Sequence, residues 1–332
     1  MRVLVTGGAG YIGSVVTEVL LDRGDDVVVY DNLSTGHRPA VDPRATFVGG
    51  DLHERALLAG TLRAHGIDAV VHMAAKALVG ESVADPSLYY RNNVVGGLSL
   101  LDAMRDADVD RIVFSSTAAT FGEPVKQPVE EDDPQTPTNP YGQTKLAFEQ
   151  AMRWYGPAFG LRSVALRYFN AAGASAAHGE DHEPETHLIP RLLRVAAGAA
   201  RGAGESAVSP GDDYPTRDGT CVRDYIHLLD LADAHVHALD ALVGVSPGFR
   251  SFNLGCGGEG YTVHEVVACV RKVTGVDLAV TVGPRRPGDP AVLVASSARI
   301  TRELGWRPRF QDLDSIVSSA WSWMGRHPRG YR

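Results

Sequence analysis

The chain has 332 residues, 44% of them hydrophobic and 22% charged, with a formal net charge of −8. No stretch is long and apolar enough to cross a bilayer, and no run of lysine or arginine resembles a nucleic-acid footprint, so neither membrane nor nucleic acid is expected as a partner. The length exceeds what one hydrophobic core usually fills, which predicts two lobes and a cleft between them.

Met1 runs directly into an apolar strand-like segment without a basic and apolar leader, so a cytoplasmic location is expected. From there to about Arg167, short β-branched runs alternate with amphipathic segments. Val3–Thr6, Val27–Tyr30, Thr46–Val48, Ala69–His72, Arg111–Ser115 and Ser163–Arg167 read as strands, with helices of roughly 10–20 residues between them. Such alternation specifies an α/β fold, a doubly wound parallel sheet of Rossmann type covered on both faces.

Immediately after the first strand, Gly7, Gly10 and Gly13 recur at every third residue and open a helix. Gly7 supplies a tight turn, Gly10 lets backbone approach a pyrophosphate, and Gly13 lets the helix pack close to the strand with its amides facing the anion. The second strand ends at Asp31, where a carboxylate meets an adenosine ribose; a strand-end turn residue is the plain alternative. A carboxylate there repels a 2′-phosphate, so NAD rather than NADP is the expected cofactor. Asp51, after the third strand, is placed to bond the adenine edge.

Strict alternation stops near Asn170. Residues 1–170 are therefore read as an NAD-binding domain. Residues 171–332 are read as a smaller, mixed α/β substrate lobe, some segments of which return to the first domain. Helices are expected near 186–199, 230–243, 262–274 and 311–325, with strands near 250–254 and 278–282. The three cysteines, Cys221, Cys256 and Cys269, lack metal or redox spacing and read as reduced thiols.

Asn139-Pro140-Tyr141 has the makings of a helix start, with Asn139 as cap and Pro140 in the first helical position. Tyr141 and Lys145 then share one helix face, so an ammonium stands near a phenol and favours its phenolate. That pair is a candidate general base; a solvated surface pair has the same spacing. Strand Arg111–Ser115 runs into Ser116-Thr117, bringing the Thr117 hydroxyl to the sheet edge where such folds bind ligands.

The glycine triplet, the hydroxyl after the strand and Tyr141-x-x-x-Lys145 together resemble the extended short-chain dehydrogenase/reductase superfamily. The runs Val79-Gly-Glu-Ser82, Arg167-Tyr-Phe-Asn170, Val222-Arg-Asp-Tyr-Ile-His227, Asn253-Leu-Gly255 and Arg285-Arg-Pro-Gly-Asp289 resemble the UDP-glucose 4-epimerases within it, over nearly the whole chain. The resemblance implies a catalytic set of Thr117, Tyr141 and Lys145. It implies that Tyr11 and Ile12, the loop Asp31, Asn32, Ser34, Thr35 and Gly36, then Asp51 and Leu52, line NAD. Met73, Ala74, Ala75, Asn92 and Phe169 complete that pocket beside Tyr141 and Lys145. For a UDP-sugar it implies Asn170, Arg223 and Arg286 at the pyrophosphate, Leu188 in the nucleotide pocket, and Asp289 and Leu293 on the sugar side, in a homodimer.

The implied reaction is redox-neutral: the sugar C4 is oxidised transiently, the 4-keto sugar turns about its pyrophosphate linkage, and C4 is reduced on the other face. Leu293 stands where strict glucose/galactose enzymes carry tyrosine, so UDP-N-acetylhexosamines are a further expected substrate class. Ala118 and Ala119 replace the Asp-Glu pair of the related dehydratases, which removes the elimination chemistry. A net reductase and a non-catalytic NAD-sensing protein are the other readings; the intact Thr117, Tyr141 and Lys145 argue against the latter. The family's lysine three residues before Gly-Glu-Ser is Ala77 here, with Lys76 one place earlier, a departure from the family's pattern. His178, His182 and His187 show no fixed ligand spacing, so a substrate-lobe loop is expected there and no metal.

Overall fold

The computed structural model describes residues 1–200, 206–285 and 290–332. Its first half follows the alternation in the sequence: β1 (Arg2–Thr6), α1 (Tyr11–Asp22), β2 (Asp26–Asp31), β3 (Thr46–Gly49), α2 (Arg55–Ala64), β4 (Ala69–His72), α3 (Val79–Ala84), α4 (Pro86–Tyr89), α5 (Gly96–Asp106), β5 (Arg111–Thr117), α6 (Pro140–Phe159) and β6 (Arg162–Tyr168). One wide π-turn, Tyr90–Val95, joins α4 to α5. The second half runs β7 (Asn170–Ala172), α7 (Leu188–Ala199), β8 (Ala207–Pro210), β9 (Val222–Arg223), β10 (Tyr225–His227), α8 (Leu228–Asp240) and β11 (Gly248–Leu254). It continues with β12 (Tyr261–Thr262), α9 (Val263–Thr274), β13 (Val280–Gly283), β14 (Val292–Leu293), α10 (Ala298–Leu304) and α11 (Leu313–Arg326).

Seven parallel strands form the main sheet in the order β11-β6-β5-β4-β1-β2-β3. The order reverses between β1 and β4, and the crevice at their carboxyl ends is where ligands of such sheets bind. Strand β11 lies beyond residue 170 yet pairs along its whole length with β6, and α8 packs against α1 and β5. The physical reason is burial: Phe252 and Leu254 are fully enclosed once β11 joins the sheet.

Strand alternation sorts the sheet's side chains between two cores. Val3 and Val5 point into a core that continues through Ile226, Leu231, Val266 and Trp306, so the two halves of the chain share one apolar interior. Leu4, Val28 and Val70 face the other layer, against Leu58, Leu100, Met104 and Phe148. The remaining strands make three small sheets: β10 with β7, β13 with β8, and β12-β9-β14. Five of these, β7, β9, β10, β12 and β14, are only two or three residues long, too short for any periodicity in sequence. Among the described residues no helix is long and apolar enough to cross a membrane.

Candidate active site

Gly7 adopts φ 72°, and a Cβ on it would stand 2.6 Å from the Ala74 nitrogen, so the turn after β1 lies directly against the segment after β4. Only glycine fits that approach without displacing backbone. A Cβ on Gly13 would run into the Gly7 carbonyl, which is why helix and turn close-pack here. Gly10 caps α1 with no side chain bonded to the first-turn amides, leaving those donors to a ligand. This cradle suits the pyrophosphate of NAD.

Its neighbours are braced from below. The buried Asp31 accepts the Ala9 amide at 3.0 Å and the Leu33 amide at 2.7 Å, tying the glycine turn to the loop beyond β2. Asn32 donates to Asp51 at 2.7 Å and accepts the Ser34 amide at 2.9 Å, joining the two loops expected at the adenosine end. Gly36 lies against the Ala9 backbone, Thr35 is exposed, and Leu52 is buried in the second core. The Met73 amide donates to the Thr6 carbonyl at 3.0 Å, and Ala74 and Ala75, both half-buried, follow it beyond the end of β4. Tyr11 and Ile12 are half-buried at the start of α1, and the Tyr11 hydroxyl donates to the Gly173 carbonyl at 2.7 Å.

On the other wall, Asn139 caps α6 by accepting the Gly142 amide at 2.9 Å, with Pro140 in the first turn. A Cβ on Gly142 would strike the Ala119 carbonyl, so α6 begins in contact with the turn after β5. That contact brings Tyr141 to Thr117. Burial raises the Tyr141 phenol above its ordinary value, and a hydrogen bond with Thr117 works against that rise. Lys145 is buried, donates to the Ser115 carbonyl at 2.8 Å, and lies 6.0 Å from the centre of the Tyr141 ring. Burial pushes its ammonium down to about 7, with Glu149 opposing. Spacing alone puts Lys145 beside Tyr141; the structure adds the Thr117 hydroxyl as a counterweight to burial and the Ser115 carbonyl as a fixed acceptor for the ammonium.

Further buried groups surround this pair. Glu149 and Arg167 form a fully buried ion pair at 2.6 Å, and Ser116 donates to Glu149 at 2.6 Å. Arg167 also donates to the Glu131 carbonyl, so β5, α6 and β6 share one polar network beneath the site. Glu149 sits one turn beyond Lys145 on the same face of α6, the one clue that pointed to it. Beside Asn92, the residue expected at the cofactor, Asn93 clamps the segment after β4. Asn93 accepts the Lys76 amide at 2.9 Å and donates to the Lys76 carbonyl and Thr144, while Asn92 donates to Asn93. Asn93 lies within the π-turn and is only 4% exposed. Tyr168, whose phenol burial raises, stands close to Tyr141, and the Tyr89 ring meets Tyr141 edge-on at 6.4 Å.

Across the cleft, Asn170 bonds the Asp224 carbonyl through both its amide and its side chain, at 3.1 Å each, with Phe169 half-buried beside it. Arg223 occupies the central strand of its small sheet, flanked in register by Leu293 of β14 and Tyr261 of β12. Leu188 is the first residue of α7 and is half-buried. Arg286 and Asp289 lie outside the described residues. Burial raises the Asp224 carboxyl to about 6 against the amides of Cys256 and Ala295 that it accepts. All three cysteines are buried.

The three loop histidines part company. His178 bonds back to Ser175, whereas His182 and His187 converge on Glu180 at 3.0 and 2.5 Å. Glu185 joins them, so Glu180, His182, Glu185 and His187 each bring a ligand atom within 4.8 Å of the others. Burial lowers His187, but its bonds to Glu180 and Glu185 more than offset this and raise it to about 10.

Residues 3–255 match the model of the NAD dependent epimerase/dehydratase family. The UDP-glucose 4-epimerase of Lacticaseibacillus casei is 50% identical over 333 residues, covering 100% of this chain and 99% of that protein. The crystal structure of UDP-glucose 4-epimerase from Brucella ovis in complex with NAD matches with a TM-score of 0.92 at 47% identity, over 98% of each chain. That of UDP-glucose 4-epimerase from Bifidobacterium longum in complex with NAD+ and UDP matches with a TM-score of 0.92 at 37% identity, over 99% of this chain and 100% of that one.

Proposed function

The chain belongs to the NAD dependent epimerase/dehydratase family, and from that premise we infer that it interconverts UDP-galactose and UDP-glucose by the UDP-glucose 4-epimerase reaction. The observation that carries the reading is the meeting of Tyr141 and Thr117, backed by Lys145, at the sheet edge across from the glycine cradle. NAD, when bound, supplies a hydride acceptor and donor for the sugar C4. The protein's own task is the proton. Tyr141 takes it from the C4 hydroxyl as C4 is oxidised and returns it to the oxygen of the other epimer, while Thr117 holds that oxygen in line. Lys145, poised near neutrality, keeps a positive charge close to the developing phenolate.

The same residues argue against elimination, because Ala118 and Ala119 follow Thr117 and offer no second acid–base pair. We assign Asn170, Arg223 and Arg286 to the pyrophosphate and Leu188 to the nucleotide, which anchors one end of the substrate while the sugar turns. Asp289 and Leu293 are assigned to the sugar side. Leu293 leaves room beside the sugar that a tyrosine would fill, which supports UDP-N-acetylhexosamines as additional substrates. The division into a cofactor domain, 1–170, and a UDP-sugar lobe, 171–332, belongs to the same reading, as do a homodimer and a cytoplasmic location.

The test is to incubate purified protein with UDP-galactose, with and without added NAD, and follow UDP-glucose. Formation of UDP-glucose without accumulation of NADH is expected. Net NADH production, or no UDP-glucose in either arm, overturns the reading.

A further inference from the structure

The loop between β7 and α7 carries a second cluster that the proposed reaction does not use. Glu180 and Glu185 have side chains only 8% and 2% exposed, and the imidazoles of His182 and His187 close over them. The Nδ1 atoms of His182 and His187 lie 3.0 and 2.5 Å from Glu180 Oε1, and His187 Nδ1 lies 3.4 Å from Glu185 Oε1. Four donors from four residues thus fall within 4.8 Å of one another. Donors around a tetrahedral zinc ion with bonds of about 2.0–2.1 Å are about 3.3 Å apart, so these separations bracket the geometry.

A second observation is independent of the clustering. Glu185 Oε2 is buried and has no hydrogen-bond partner among the described residues; the guanidinium of Arg194 stops at 4.0 Å. A buried carboxylate oxygen without a hydrogen bond is costly, and a cation bound by this carboxylate offsets that cost. Two carboxylates also balance the charge of a divalent ion, which takes the place of the proton shared between His187 and Glu180. Imidazole with carboxylate suits zinc and its first-row neighbours, whereas magnesium prefers oxygen donors and water.

We propose that Glu180, His182, Glu185 and His187 bind a divalent cation of the zinc class. Its place in the fold makes it a clip. His182 meets the Tyr11 ring edge-on at 6.0 Å, at the start of the helix that follows the glycine turn, and its carbonyl accepts Arg194 of α7 at 2.9 Å. His187 immediately precedes α7. The ion therefore joins the loop to the cofactor turn on one side and to the helix carrying Leu188 on the other. Binding is independent of the reaction assigned above.

The experiment titrates chelator-treated full-length protein with zinc chloride, and in parallel with magnesium chloride, followed by calorimetry and metal analysis. One zinc per chain is expected, at least about 100-fold weaker in the double variant His182→Ala/His187→Ala, with magnesium much the weaker ion in the wild type. No zinc uptake by the wild type, or equal uptake by the double variant, overturns the proposal. If that variant fails to fold, cobalt(II) on the wild-type chain decides. Visible d–d bands without thiolate charge transfer support the four N/O donors, and a thiolate band or six-coordinate octahedral spectrum rejects them.

Discussion

The two walls of the cleft are built differently. Tyr141, Lys145 and Thr117 stand on a 20-residue helix and the end of a central strand, braced by the buried Glu149–Arg167 pair. The facing wall hangs Asn170, Arg223 and Leu293 on strands of two or three residues, whose positions depend on neighbours such as Asp224 and Gly255. On the proposed reading, chemistry that tolerates little displacement sits on the regular elements, while substrate selection sits where the chain can change without disturbing the sheet.

The sharpest way to break this contrast is at the rigid wall. Tyr141→Phe should lower interconversion by about 10³-fold, within the range for losing a general acid–base group, while NAD content after purification is unchanged. Unaltered turnover in a coupled assay contradicts the role. Next in size, Arg167→Met leaves Glu149 buried without its cation and should cost about 3–5 kcal/mol in urea unfolding; replacing both partners with methionine should recover most of that. Equal losses in the single and double variants would show that the pair is not the brace.

Lys145 gives a pH signature. Its folded value of about 7 lies below the ordinary 10.5, so between these limits the unfolded chain binds a proton that the folded chain does not. Wild-type stability relative to Lys145→Met should therefore be flat below pH 7 and rise by about 1.4 kcal/mol per pH unit toward 10.5. A difference that stays constant across that window places the ammonium outside the low-dielectric interior. The smallest effect belongs to the facing wall: Leu293→Tyr should leave UDP-galactose turnover within about threefold while reducing that of UDP-N-acetylgalactosamine about tenfold or more. Equal changes for both sugars would remove Leu293 from selectivity.

The first six strands were legible to within two residues, because short β-branched and apolar runs between helical segments are local signals. The glycine turn and the Tyr141-to-Lys145 spacing were legible for the same reason. Less was visible of their surroundings. Glu149 and Arg167 are 18 residues apart, Thr117 and Tyr141 are 24 apart, and nothing in either segment announces the other. Spacing pointed to the right helix face, but it did not show that Lys145 also bonds the Ser115 carbonyl or that Thr117 hydrogen-bonds the phenol.

By itself, then, the sequence determined the alternating α/β architecture, the cradle for a pyrophosphate and the helix that carries the tyrosine, since each is a property of residues within a turn or two. Only the tertiary structure decided that Gly142 seats α6 against Ala119, that Asn93 is buried within the π-turn, and that Glu180, His182, Glu185 and His187 meet. Those convergences are set by how helices and loops pack on the sheet, and packing is a relation among distant segments that no local pattern encodes.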